Sequence, residues 1–345
     1  MFGKLKKILG SGTADSDEEI ADVEVQQTTA ADPVAKTDGE ADSEKALLAG
    51  ELRAAQKIQM GLVPKTFPPI PGCLPFDLYA ILEPAREIGG DFYDYWLNGR
   101  ENLMLVIGDV SGKGIPAALF MAVCRTYLRA FSRSVKEPAK LVEYLNNEVS
   151  RHNETCMFVT LICAMVHIPT GTVTYANAGH NPPFLRKRDG TVSMLKVAED
   201  MPVGFMHGTE FGTRTLKLDV GESLLFYTDG MPEAFTVDGE MLGEEQSLAL
   251  FKASSAGGGC RTTIGQLRAE VSEFTAGAEQ SDDITLLMYG QLEQKGAFDL
   301  TAGRDEVSDL EGDSAVFSLS NIKDALPNPG KGSINDDMGL SLSGL

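Results

Sequence analysis

The chain has 345 residues, enough for one large domain or two small ones, and no apolar run reaches the roughly 18 residues a membrane span needs. Its 50 acidic against 30 basic residues leave a formal net charge of −20, which argues against nucleic acid, because binding there needs clustered Lys and Arg. Cys73, Cys124, Cys156, Cys163 and Cys260 are odd in number and lack CxxC spacing, so they read as reduced core residues of a cytoplasmic protein, not as a disulfide frame or zinc site.

In chain order, the first ten residues lack the uncharged apolar core of a secretory signal. Phe2, Leu5, Ile8 and Leu9 beside three lysines describe at most a short surface helix at a fraying terminus. Residues 1–43 are predicted to be disordered, since Asp, Glu, Thr, Ala and Gly in irregular order bury too little surface to offset ordering entropy. Ser43 offers an N-cap, and Leu48, Leu52, Ala55, Ile58 and Leu62 recur at helical spacing until Pro64. This pattern predicts a helix over 44–62. It suits both a helix packed on the following domain and a signal-receiving, homodimerising one.

The globular region is placed at 64–291. Strands are predicted over 76–83 and 103–109, joined through 86–95, followed by helices over 116–133 and 138–152. Further strands are predicted over 158–167, 172–177, 184–188, 211–218 and 223–228, then helical character over 240–276 and a last strand over 284–289. Short turns between the central strands favour antiparallel meanders, and runs of strands beside runs of helices indicate an α+β fold. From 292 to 345 the composition turns acidic and Gly/Ser-rich again, which predicts a flexible tail.

Several aspartates share one context. Asp91 follows Gly89-Gly90, and Asp109 ends an apolar run before a turn containing Gly112 and Gly114. Asp229 ends another apolar run before Gly230, while Asp282 and Asp283 open the last strand. Singly, each reads equally well as a turn former. Together they place carboxylates where core meets loop, which is costly unless they are paired or metal-bound. Without His/Cys spacing, converging carboxylates favour Mg²⁺ or Mn²⁺, and two such ions sharing one carboxylate can clamp a phosphate. Asp109, on a rigid strand, is the natural bridge. Arg86 and Lys113 are candidate phosphate contacts; Arg86 is equally read as an ion-pair partner of Asp91, and Lys113 as solvent- or partner-facing. His180, in a Gly-His-Asn-Pro turn, is read as a turn-stabilising residue, with a general-acid role as the alternative.

Six stretches then carry a family resemblance: Arg86-Glu-Ile-Gly-Gly-Asp-Phe-Tyr-Asp94, Ile107-Gly-Asp-Val-Ser-Gly-Lys-Gly-Ile-Pro-Ala117, Asn177-Ala-Gly-His-Asn-Pro-Pro183, Met201-Pro-Val-Gly204, Leu225-Phe-Tyr-Thr-Asp-Gly230 and Ser281-Asp-Asp-Ile-Thr285. In this order they resemble the motifs of the RsbU/SpoIIE group, bacterial metal-dependent serine phosphatases of the PPM (protein phosphatase 2C-like) superfamily. The resemblance implies an αββα sandwich of two stacked antiparallel sheets flanked by helices. It implies catalytic, metal-holding roles for Asp91, Asp109, Asp229 and Asp282, with the Val110 backbone carbonyl as a further ligand and two Mn²⁺ or Mg²⁺ as cofactors. It also implies hydrolysis of phosphoserine or phosphothreonine on a STAS-domain anti-anti-sigma factor in a partner-switching pathway. An upstream sensor or regulator would act through residues 44–62, 116–133 and 138–152. A catalytically silent module of the same fold is the rival reading, and hydrolysis of a small phosphorylated metabolite is a third.

Overall fold

The structure, a computed structural model, describes residues 38–67, 74–151, 153–195, 200–255 and 258–294. The expectations for 1–37, for the tail beyond 294 and for Cys73 lie outside these residues. The chain divides into a unit of Met1–Leu47, of which 38–47 are described and helical, and a unit of Leu48–Leu345, which holds every strand.

Helix α1 covers Asp38–Leu62, beginning earlier than the Ser43 cap suggested. Its predicted aliphatic stripe is buried only in part, at Leu52, Ala55 and Leu62. Leu48 and Ile58 are more than half exposed, whereas Gln59 is buried. A polar side chain buried on a helix must find partners there, and Gln59 finds them in the backbone of Gly89.

The strands form two five-stranded sheets, antiparallel at every pairing. The first runs in the order β1 (Phe76–Glu83), β10 (Ile284–Gln291), β9 (Ser223–Tyr227), β6 (Phe184–Arg186), β7 (Val192–Met194). The second runs β2 (Phe92–Asn98), β3 (Asn102–Val110), β4 (Val159–His167), β5 (Thr172–Ala178), β8 (Arg214–Lys217). Within the second sheet, neighbours follow chain order, but tight turns join only β2 to β3 and β4 to β5; residues 111–158 and 179–213 separate the other two pairs. The first sheet is assembled from strands far apart in sequence, with the last strand inserted between the first and β9.

Alternation explains the layering. In β3, Leu103, Leu105 and Ile107 enter the core between the sheets, while Met104 and Val106 face outward into a second core. Helices α2 (Ile115–Phe131) and α3 (Pro138–Ser150) cover that outer face through Met121, Cys124, Leu128, Leu141 and Leu145. Burial on both faces is why 103–108 reads as an unbroken apolar run rather than an alternating one. On the other side, α4 (Gly243–Ser254) and α5 (Cys260–Phe274) cover the first sheet, with Phe251, Ile264 and Leu267 against Tyr227, Leu286 and Met288. The result is the expected αββα sandwich.

Several segments depart from the expectations, among them β7, for which no strand is predicted, and β6, shorter than the predicted 184–188. The predicted join 86–95 contains the start of strand β2, and the predicted strand 211–218 contracts to Arg214–Lys217. Strand β2 carries a buried aspartate, Asp94, within its aromatic run, which breaks the apolar signal a strand is recognised by. Cys124, Cys156, Cys163 and Cys260 are all unpaired, three of them buried. Among the described residues no helix is long and apolar enough to cross a membrane.

A carboxylate cluster as candidate active site

The register brings four strand ends to one end of the sandwich. Phe92, which opens β2, pairs with Gly108 near the close of β3, and Leu286 near the start of β10 pairs with Tyr227, the last residue of β9. Asp91, Asp109, Asp229 and Asp282 therefore approach one another, two from each sheet. Val110, buried, closes β3 beside Asp109.

Close backbone approach shapes this end. A Cβ on Gly90 would lie 2.9 Å from the Val110 carbonyl oxygen, and one on Gly89 would lie 1.8 Å from the Asp283 carboxylate. Neither position tolerates a side chain. Past Asp109, Gly112 and Gly114 take φ of 88° and 73°, a left-handed turn that leads into α2 with Pro116 in its first turn. Ser111 fixes that turn to the chain entering β4: its N–H donates to the Phe158 carbonyl at 2.8 Å and its Oγ accepts from the Phe158 N–H at 2.9 Å.

Asp91 is 2% exposed. Its Oδ2 accepts hydrogen bonds from the Thr228 and Thr285 hydroxyls, both at 2.7 Å. Burial pushes its pKa well above the usual carboxylate range, the neighbouring Asp109 and Asp283 charges add to the rise, and the two threonines pull it back. Asp109 is likewise raised, first by burial and then by Asp229 and Asp282, while a side-chain hydrogen bond with Asp91 opposes the rise. Two buried carboxylates set this close resist double ionisation. Asp229 is pushed up to about 6 by burial, Glu233 and Asp282, with Lys113 pulling the other way.

The four carboxylates feel one another without forming a finished cage. Among the described residues no group of three or more His, Cys, Asp or Glu side chains is set to hold a metal ion. The tension between this and the mutual pKa rises is one of distance: charges act over several ångströms, ligands bind within about 2–2.6 Å. The donor set nonetheless suits a hard divalent cation. It offers only oxygen, Asp91 and Asp109 have no cationic side chain acting on them, and the Val110 carbonyl lies behind Gly90. Asp282 already has a cation: the Lys113 ammonium lies 2.9 Å from its Oδ2 and also donates to the Ser281 carbonyl. Lys113, read from sequence as solvent- or partner-facing, thus ties the glycine turn to the entry of β10.

Arg86 is exposed on the loop leading to Asp91 and makes no hydrogen bond or ion pair among the described residues, so the ion pair with Asp91 is not formed. His180 is buried within the turn: its N–H donates to Asn177 Oδ1 at 2.7 Å, and Nδ1 lies 2.9 Å from the Thr160 hydroxyl, whose strand position faces Asp109. Burial drops its pKa to about 4. A ring that is neutral near neutral pH, and sealed from solvent, is no proton donor to a leaving group. The turn-stabilising reading is the one the geometry favours.

Two residues of consequence act through contacts that their sequence context does not announce. Asp283 accepts from the N–H groups of Ala85 (2.8 Å), Gly90 (2.8 Å) and Asp91 (3.3 Å), stapling the Asp91 loop to β10. Gln59 of α1 makes a reciprocal pair with Gly89, its Nε2 donating to the carbonyl at 2.6 Å and its Oε1 accepting from the N–H at 3.2 Å. The doubled Asp282-Asp283 is visible as a motif, and Asp283 differs from its neighbour only in which way the strand turns it. The role of Gln59 has no sequence signature, because a glutamine in a charged helix reads as surface.

Known proteins share this architecture and its motifs. A family model described as Stage II sporulation protein E (SpoIIE) matches residues 99–290. Protein IcfG of Synechocystis sp. is 32% identical over 265 residues, 69% of this chain and 41% of that protein. Phosphoserine phosphatase RsbU of Bacillus subtilis is 30% identical over 164 residues, 47% of this chain and 48% of that one. The chain thus spans less than half the length of these curated relatives. The crystal structure of the RsbU and RsbW domains of Rv1364c from Mycobacterium tuberculosis superposes with a TM-score of 0.56 at 25% identity, covering 74% of this chain and 72% of that one. Matched over more than half its length, and carrying the PPM phosphatase sandwich, the chain belongs to the SpoIIE family.

Proposed function

We propose that the chain is a metal-dependent protein serine/threonine phosphatase whose catalytic domain is residues 64–291. Asp91, Asp109, Asp229 and Asp282 are its catalytic carboxylates and, with the Val110 carbonyl, would hold two Mn²⁺ or Mg²⁺ ions. The observation that carries this reading is the convergence of four carboxylates from both sheets, three with raised pKa values, at a place where divalent cations would relieve their repulsion. Its membership of the SpoIIE family, and the name of a relative that is itself a phosphoserine phosphatase, support it.

Divalent cations there would supply Lewis-acid charge to a phosphoryl group and acidify water. The chain's own residues do the positioning. Thr228 and Thr285 hold one oxygen of Asp91 so that the other is free to point into the cluster. Asp283 fixes the backbone on which Asp91 sits, and Gly90 lets the Val110 carbonyl reach the same point. Asp109, which feels the charges of Asp229 and Asp282 and lies against Asp91, would be the carboxylate that both ions share. Arg86, exposed, unpaired among the described residues and five positions before Asp91, is the candidate for bidentate contact with the phosphate.

The substrate of this reading is a phosphoserine on a STAS-domain anti-anti-sigma factor, and the setting is a cytoplasmic partner-switching pathway under an upstream regulator. The solved relative that unites RsbU and RsbW domains in one chain supports the pathway, and the free cysteines support the compartment. Residues 44–62 are the homodimerising element in this reading. Hydrolysis of an aryl phosphate with Mn²⁺ tests the chemistry: wild type turns over, and Asp109→Asn and Asp229→Asn do not. Unchanged turnover in both variants overturns the mechanism. Incubation with phosphorylated STAS proteins, read on a phosphate-affinity gel, tests the substrate. A catalytically silent module would show no calorimetric Mn²⁺ binding that Asp229→Asn abolishes.

A further inference from the structure

Beside the carboxylate cluster lies a cleft of about 170 Å³. Gly230 and Ser281, each next in sequence to a cluster aspartate, line it together with apolar Phe235, Val271 and Ile284 and the Arg268–Glu83 ion pair, whose charges offset each other. The cleft is smaller than the roughly 300–1,000 Å³ typical of small-molecule pockets and is matched instead to one large side chain.

Its outer lip is a hairpin. Phe235 and Met241 face each other across an isolated bridge, Thr236 donates its N–H to the Glu240 carbonyl at 2.9 Å, and Gly239 turns the tip at φ 82°. The hairpin's large side chains are not spent on the core: Phe235, Val237 and Met241 are 39%, 67% and 51% exposed. Exposed apolar groups gathered on one rigid projection mark an interaction surface. Around them Glu233, Asp238, Glu240, Glu244 and Glu245 are all exposed, and no Lys or Arg occurs between Asp229 and Phe251. None of these five acids has an ion-pair partner among the described residues. The lip is therefore apolar and strongly negative, and it is continuous with the catalytic carboxylates.

We propose that this hairpin and cleft bind the polypeptide flanking the phosphorylated serine of the partner protein, a segment carrying one large apolar side chain and Lys or Arg residues. The inference rests on the phosphatase reading for the placement of the phosphoserine. A phosphoprotein that presents its serine to the cluster must cover this lip, and basic residues are what its charge selects. The single-side-chain cleft also favours a polypeptide over a small metabolite.

Two phosphoserine peptides serve as probes, one with Leu and Arg flanks and one with Ser and Glu flanks, their binding read by fluorescence anisotropy beside aryl phosphate turnover. Wild type should bind the basic-apolar peptide about tenfold more tightly, a preference that weakens with added salt. The exposed pair Asp238→Lys/Glu240→Lys should abolish or reverse the preference, and Phe235→Ser should weaken binding of the apolar peptide, both with aryl phosphate turnover unchanged. Aryl phosphate turnover without peptide preference, or preference indifferent to these variants, overturns the docking surface and leaves the phosphatase reading intact. Peptide preference without turnover does the reverse. Variants that shift the sedimentation coefficient instead of peptide binding would assign the lip to a second copy of this chain and overturn the proposal.

Discussion

Two aspartates at the entry to β2 are almost fully buried, Asp91 at 2% and Asp94 at 1% exposure, and their surroundings are opposite in sign. Asp94 faces α2, where Arg129 donates to it through Nε at 2.7 Å and Arg125 lies 3.0 Å away. Arg129 also lies over the Trp96 ring, 4.8 Å from its centre. That carboxylate is neutralised by the protein itself and fastens α2 to β2. Asp91, on the opposite side of the strand's entry, meets threonine hydroxyls and other carboxylates. The same residue type at the same depth is structural where the fold supplies cations. Where the fold supplies more carboxylates, their repulsion is left for the cations of the proposed phosphatase reading to relieve.

This contrast can be broken or sharpened by experiment. The largest expected effect is on Asp109→Asn, which should lower phosphatase turnover by about three orders of magnitude. In cation-free buffer the same variant should melt at a higher temperature than wild type, because a buried like charge has gone. Mn²⁺ should raise the melting temperature of wild type and not of the variant. A lower melting temperature in cation-free buffer would contradict the electrostatic account of the cluster.

Asp94→Ala should act the other way. Removing the carboxylate between Arg125 and Arg129 should cost about 3–5 kcal/mol in denaturant unfolding, reduced to the extent that Arg129 reaches water. Mn²⁺ affinity per folded molecule should not change. If calorimetry finds it reduced tenfold, the two aspartates are not separate in function.

His180 offers a pH test of a third kind of burial. Its folded pKa, about 4, is below the ordinary value of 6.5, so the unfolded chain takes up the proton first as pH falls. Stability from this group is therefore complete above about pH 6.5, is lost progressively down to about pH 4 and levels off below it, a total on the order of 3 kcal/mol. His180→Gln should flatten that slope in urea unfolding measured across the range. A slope that survives the substitution assigns the acid sensitivity elsewhere.

Asp283→Asn is expected to show the smallest effect, about 2 kcal/mol of stability, since one of the three N–H groups its carboxylate holds must lose its acceptor. Calorimetry should also find Mn²⁺ binding weakened about tenfold, as for groups that orient metal ligands. Stability loss with unchanged Mn²⁺ affinity would make Asp283 a structural staple only.

The elements legible in the sequence were those whose pattern is local. Strand 103–109 announced itself through an apolar run ended by Asp109, and the following turn through its two glycines, whose left-handed φ the structure then shows. The helices at Pro116 and Pro138 announced themselves through Pro in the first turn and a periodic face. Asp91, Asp109, Asp229 and Asp282 could be singled out because each sits at a strand end beside glycine or a turn, a context that does not depend on what lies across the fold. Tertiary structure alone decided the rest. That Asp283 staples a loop some 190 residues earlier in the chain, that Gln59 holds Gly89, and that Asp94 is neutralised while Asp91 is not are consequences of contacts between residues 30 or more apart. Periodicity reports which face of an element is buried. It carries no record of which distant charge or backbone group waits on that face, and the sign of that partner separates a structural carboxylate from a functional one.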